Sequence, residues 1–266
     1  MSGSFDYAAQ PKERVEACNL CGKASYEQFA TRDRYGLPVQ SVTCLGCGLV
    51  FLTPRMTAAA YRDFYRDGDY RALLSEFHGR PVTAETIEAD QVGYAERLIK
   101  LLEPHVSGQP FTTMLDVGGS TGVVAEAVAQ QFGLVATVLE PSDAEGDRAA
   151  LRGLKIIPGT IEQCTIGTDR YDLVLLCQTV DHLTDIRQAL RTIRGLLAEG
   201  GLFFVDIVDY RVPLRKVGRE GAIKVDHPYY LEPWTMDAYL AQAGFERLHS
   251  QVASDGMHVD FVCGAA

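Results

Sequence analysis

No apolar run in this chain approaches the ~20 residues that a membrane-spanning helix needs. The opening residues, MSGSFDYAAQPKERVEACN, lack a basic stretch followed by an apolar one, so no secretory leader is visible and a cytoplasmic location is expected. Positive charge is scarce: 25 Lys and Arg stand against 35 Asp and Glu, a net charge of −10. Nucleic-acid binders need clustered positive charge to displace counterions, so a general nucleic-acid partner is not expected. There is no internal repeat and no low-complexity tract. The G-x-G-x-x-G spacing of nicotinamide-binding units is missing too, which argues against hydride transfer.

What is present is a chain of 266 residues, 47% hydrophobic, long enough for one large domain or a main domain with a small companion. Four of its 7 cysteines form two tight pairs, CNLC (18–21) and CLGC (44–47), while Cys164, Cys177 and Cys263 are scattered in apolar contexts. Two C-x-x-C knuckles give four thiolates, Cys18, Cys21, Cys44 and Cys47, able to close a tetrahedral shell around structural Zn²⁺. Gly22 and Gly48 follow the pairs, as tight metal-binding turns require. Iron, as in a rubredoxin, is the alternative metal.

Four stretches follow: a loose N-terminus (1–14), a zinc ribbon (15–54), a helical linker or lid (55–105) and an α/β domain (106–266). Thr57 caps a predicted helix over 57–70, and Thr83 caps another over 83–103 that Pro104 should stop. Strands are predicted at 112–117, 134–140, 154–157, 171–177 and 201–207, alternating with helices at 121–132, 143–152 and 183–198. A last helix (234–243) leads to an antiparallel strand pair, 245–252 and 257–263. Such alternation implies a mostly parallel sheet with helices on both faces.

The most telling segment is TMLDVGGSTG (113–122), a strand running into a glycine-rich turn, with an acid, Glu140, closing the next strand. LDVGGSTG resembles the first motif of class I S-adenosylmethionine (SAM)-dependent methyltransferases, a Rossmann-like fold. The resemblance spans about residues 85–264. It implies that Asp116, Gly118, Gly119, Ser120 and Gly122 hold the methionine end of SAM, with Ser120 replacing a glycine. It implies that Glu140 receives both ribose hydroxyls, that Ile161 packs on adenine, and that Cys177 and Gln178 face the cofactor. The N-terminal ribbon and FYRDGDYRALL resemble bacterial sugar and polysaccharide methyltransferases, relatives of the antibiotic deoxysugar C-methyltransferases.

The acceptor expected from this resemblance is a sugar, nucleotide sugar or similar small polar molecule, methylated at a hydroxyl. His227 and His182 are candidate bases, with Asp226 orienting His227, which is slightly favoured. In the longer relatives a Tyr and a His act together; Lys224 stands where that Tyr would be, which disfavours their C-methylation chemistry. Tyr65, Tyr70, His78 and Tyr230 are read as acceptor contacts, and Arg215, in the basic run RVPLRKVGR (211–219), as a phosphate contact. His105, His249 and His258 read as surface or core residues. Competing readings are a C-methyltransferase of a deoxysugar or natural product, a zinc-ribbon RNA methyltransferase and a non-catalytic SAM-binding module. A monomer or homodimer is expected.

Overall fold

The structure, a computed structural model, describes residues 5–163 and 169–266; Cys164 lies outside them. Its frame is a seven-stranded sheet. β6 (Thr113–Val117), β7 (Val135–Glu140), β8 (Lys155–Pro158), β9 (Tyr171–Leu176) and β10 (Leu197–Val208) run parallel. β12 (Phe245–Val252) and β13 (His258–Ala265) close one edge antiparallel. The order is β12-β13-β10-β9-β6-β7-β8. From β6 the chain winds first towards β8 and then, through β9, the other way. The carboxyl edge between β6 and β9 is therefore a topological switch point, where α/β sheets open a crevice.

Alternating residues of the central strands serve two apolar layers. Leu115, Val117, Val174, Leu176, Phe203 and Val205 face α6 (Ile186–Leu196) and α8 (Pro233–Gln242). Met114, Leu173, Leu175 and Phe204 face α3 (Ala84–Val106) and α4 (Val123–Phe132). That period of two, on strands covered on both sides, is what makes them read as continuous apolar runs. Between β7 and β8 lies α5 (Asp143–Leu151).

The first layer also takes in Cys18, Leu20, Cys44, Leu49 and Phe51, so the cysteine segment packs directly on the main core. That segment folds as β2 (Tyr26–Ala30), β3 (Ser41–Cys44) and β4 (Val50–Leu52), joined by a fourth strand, β11 (Tyr229–Tyr230), from far downstream. Tyr229 pairs with Phe51 and Tyr230 with Val50. The peptide just before β11 is thereby carried by the cysteine segment.

Several expectations need correction. The start is not loose over residues 5–14: Phe5 and Tyr7 are buried in a third cluster with Met56, Tyr61 and Phe64, and β1 (Lys12–Glu13) pairs with β5 (Arg55–Met56). The helix expected over 57–70 is two, α1 (Ala58–Arg66) and α2 (Asp69–His78), broken at Gly68, whose φ of 83° leaves the helical region. α3 does not stop at Pro104 but continues to Val106. Proline costs the ladder a hydrogen bond there, but Leu101, Leu102 and Val106 are buried against α4 and hold the last turn in place. The basic run lies in α7 (Arg211–Ala222), which kinks at Gly218 (φ 74°).

Candidate active site

At the switch point the turn after β6 approaches its neighbours closely. Gly118 has φ 73°, and a Cβ there would come within 2.8 Å of the Thr179 side chain. A Cβ on Gly119 would meet an oxygen of Asp116 at 2.8 Å. The next residue, Ser120, is one of two non-glycine residues with positive φ (50°) among the described residues. Its backbone N–H donates to Glu140 Oε2 at 3.0 Å, and Ser142 N–H donates to Glu140 Oε1 at 2.8 Å. Two backbone donors thus aim the Glu140 carboxylate while leaving lone pairs for a ligand's hydroxyls. Burial, with Glu145 nearby, pushes the Glu140 carboxyl up to about 8. Asp116 is buried, neither of its oxygens has a hydrogen-bond partner, and burial pushes it up to about 7.

The glycine turn and the end of β7 border a cavity of about 410 Å³. Gly118, Ser120, Glu140, Ile161, Cys177 and Gln178 line it; Asp116, Gly119 and Gly122 do not. Gly122 instead starts α4, where a Cβ would strike Leu154 at 2.5 Å. The Ser120 hydroxyl, unexplained by the sequence, donates to Glu145 Oε2, and the other Glu145 oxygen pairs with Arg71 of α2. The helix α2 is thus tied to the glycine turn through one carboxylate. Nothing local in the sequence flags Arg71 or Glu145.

α1 and α2 form the outer wall. Tyr65, Tyr70 and His78 line the cavity, together with Arg71, Leu74 and Arg80. Tyr65 and Tyr70 meet edge to face at 5.3 Å.

The two candidate histidines are adjacent, with ring centres 4.6 Å apart, but differ in access. His227 is buried and absent from the cavity wall. Its Nδ1 lies 2.8 Å from Asp181, and its Nε2 lies 3.3 Å from both Asp226 Oδ2 and Lys224 Nζ. Both nitrogens are therefore committed inside the protein. Burial opposes ionisation of Asp181, but His227 outweighs it and holds the carboxyl well below the usual range. His182 lines the cavity. Its Nδ1 is 3.0 Å from the Asp226 carbonyl oxygen and 2.8 Å from the Tyr65 hydroxyl, which itself donates to that carbonyl at 3.2 Å. A carbonyl only accepts, so Nδ1 carries the proton and Nε2 keeps a lone pair. Burial and then His227 lower the His182 pKa, which favours the neutral ring.

Two expected acceptor contacts lie elsewhere. The buried Tyr230 hydroxyl accepts from Lys224 N–H and donates to the Lys224 carbonyl, both at 2.7 Å, closing the loop before β11. Arg215 is exposed on α7 and does not line the cavity. Within that run, Arg211 pairs with Asp209 and Glu232.

The four paired cysteines converge. Cys18 and Cys47 sulfurs are 3.5 Å apart, as are those of Cys21 and Cys44, and all four lie within 4.8 Å of one another. Tetrahedral zinc with bonds of about 2.3 Å sets sulfurs roughly 3.8 Å apart, so the donor set fits a closed four-thiolate shell. The turns are those of metal knuckles: Gly22 N–H donates to Cys18 O and Gly48 N–H to Cys44 O, both at 2.8 Å.

A family profile described as "Methyltransferase domain" matches residues 86–250. A ubiquinone biosynthesis O-methyltransferase of Caulobacter vibrioides is 30% identical over 145 residues, 48% of this chain and 57% of that protein. A malonyl-[acyl-carrier protein] O-methyltransferase of Chlorobium luteolum is 27% identical over 143 residues, 50% of this chain and 54% of that one. The chain thus spans little more than half the length of these relatives. Among solved structures, magnesium protoporphyrin IX methyltransferase from Synechocystis, with bound SAH, superposes with a TM-score of 0.60 at 11% identity, covering 79% of this chain and all of that one.

Proposed function

The chain belongs to the methyltransferase-domain family, and on that premise we propose that it methylates a hydroxyl of a small polar acceptor with SAM as donor. The observation that carries this reading is the placement of His182, its Nδ1 held by the Asp226 carbonyl, on the cavity that Glu140 also borders. The residues present fit the cofactor. Glu140 would hold the ribose hydroxyls and Ile161 would flank the adenine, while the orphaned Asp116 carboxylate lies behind the cavity wall. When bound, SAM supplies an electrophilic methyl group on a sulfonium. His182 Nε2 takes the proton of the acceptor hydroxyl. The Asp226 carbonyl and Tyr65 fix the ring during that transfer, and α1 and α2 exclude water.

His182 replaces His227 as the base because it reaches the cavity; His227 and Asp181 support it from behind. For the acceptor we favour a sugar or nucleotide sugar, whose hydroxyls and ring faces suit Tyr65, Tyr70 and His78, with Arg71 and Arg80 in the same wall. The O-methyltransferase names of the relatives support an oxygen as target. We assign the four-cysteine cluster a structural zinc that holds the ribbon against the α/β core. Transfer of labelled methyl across a panel of sugars and nucleotide sugars tests this. His182→Ala should lower turnover by roughly 10²–10⁴-fold with SAH affinity unchanged. Full activity in that variant would remove the assignment.

A further inference from the structure

Gln178 is the other non-glycine residue with positive φ (49°) among the described residues. It sits just past β9 on the cavity wall. Backbones in that region persist only where surroundings over-determine them, and here two tethers do so. The Gln178 N–H donates to Asp206 Oδ1 at 2.6 Å, and Asp206 Oδ2 accepts from the Tyr94 hydroxyl at 3.1 Å. On the side-chain end, Gln178 Nε2 lies 3.4 Å from His258 Nε2, and His258 Nδ1 lies 2.6 Å from Asp255 Oδ2. The topology explains the meeting. β13 is antiparallel to β10, so its first residue, His258, and the turn holding Asp255 arrive at the carboxyl edge where Gln178 stands.

The hydrogen-bond polarity of this chain is set from its Asp255 end. Asp255 accepts from the backbone N–H of Met257 and His258 as well, and these bonds outweigh burial and hold its carboxyl down to about 2. A carboxylate only accepts, so His258 Nδ1 carries a proton, and its Nε2 faces the Gln178 amide nitrogen. An amide nitrogen only donates, so Gln178 gives its Nε2–H to His258 and its Oε1 is left as the acceptor of a cavity-wall residue.

We propose that Asp255 and His258 are positioning residues that lock the Gln178 amide with Oε1 presented to the cationic, amino-acid end of the bound methyl donor. The assignment of that end follows from strand order: Glu140, the ribose acid, terminates β7 on one side of β6, and Gln178 follows β9 on the other. The inference rests on the methyl-donor reading of the cavity. His258, read from sequence as surface or core, becomes part of the site's support.

Calorimetry with S-adenosylhomocysteine, which has the amino-acid end, and 5′-methylthioadenosine, which lacks it, tests the proposal. Gln178→Ala and His258→Ala should each weaken S-adenosylhomocysteine by roughly tenfold and leave methylthioadenosine unchanged. The double variant should be no weaker than either single one, and His258→Gln, whose amide oxygen can accept, should restore affinity. Asp255→Asn, in an exposed turn, should give the same selective loss and serves if a melting curve shows His258→Ala unfolded. Equal losses for both ligands, no loss, or additive losses would overturn the relay alone. Failure of the wild type to bind either ligand would overturn the methyl-donor reading and the relay with it.

Discussion

At the scale of single residues the site is a set of buried acids waiting for donors. Burial raises Glu140 to about 8 and Asp116 to about 7, from ordinary values near 4.5 and 3.8. Raised carboxyl values favour the folded state while protonated, and that advantage is lost as pH rises through 7 and 8. The unliganded protein should therefore melt at lower temperature at pH 8 than at pH 6, and SAH should narrow the gap. Ligand hydroxyls need the ionised Glu140, so SAH affinity should rise from pH 6 to 8 and flatten above; calorimetry on Glu140→Gln should show weaker binding with a shallower rise. A pH-independent affinity in the wild type would count against Glu140 as the ribose acid. The sequence carried these acids because each sits at a fixed offset from a strand end. It did not carry the choice between His182 and His227, which depends on which ring reaches the cavity.

At the scale of elements, the glycine turn and the helix α2 are tied by Ser120, Glu145 and Arg71. The Arg71 and Glu145 side chains are 24% and 17% exposed, a partly shielded pair. Losing it should matter more to lid opening than to the fold. Arg71→Ala and Ser120→Gly are each expected to release SAH up to roughly fivefold faster in stopped-flow displacement, with little change in melting temperature. Unchanged release would mean that α2 is held by packing alone. The parallel strands were legible because their apolar runs and bounding turns are local. β11 was not: two residues whose partners lie in β4 leave no periodicity to read. The break at Gly68 was equally hidden, since an isolated glycine inside an amphipathic pattern does not announce its φ.

At the scale of the whole molecule, the cysteine ribbon and the α/β sheet act as one body. Asn19, between the first pair of cysteines, donates to Asp185 at 2.8 Å and accepts from Tyr239 at 3.0 Å. β4 carries β11, and the peptide leading into β11 supplies the carbonyl that orients His182. The sequence suggested a separate metal module; the long-range pairing that joins it to the loop carrying Asp226 and His227 lies beyond local pattern. Metal content should be one zinc per chain, and Cys44→Ser or chelation should lower the melting temperature by roughly 10 °C or more. A protein that keeps its melting point without metal would make the ribbon independent of the site. The most direct measurement of the central claim is transfer of labelled methyl from SAM to hydroxylated sugars and nucleotide sugars by the wild type and by His182→Ala. The account predicts transfer to an acceptor oxygen by the wild type and its near-complete loss in the variant with SAH binding intact. Equal transfer by both proteins would contradict it.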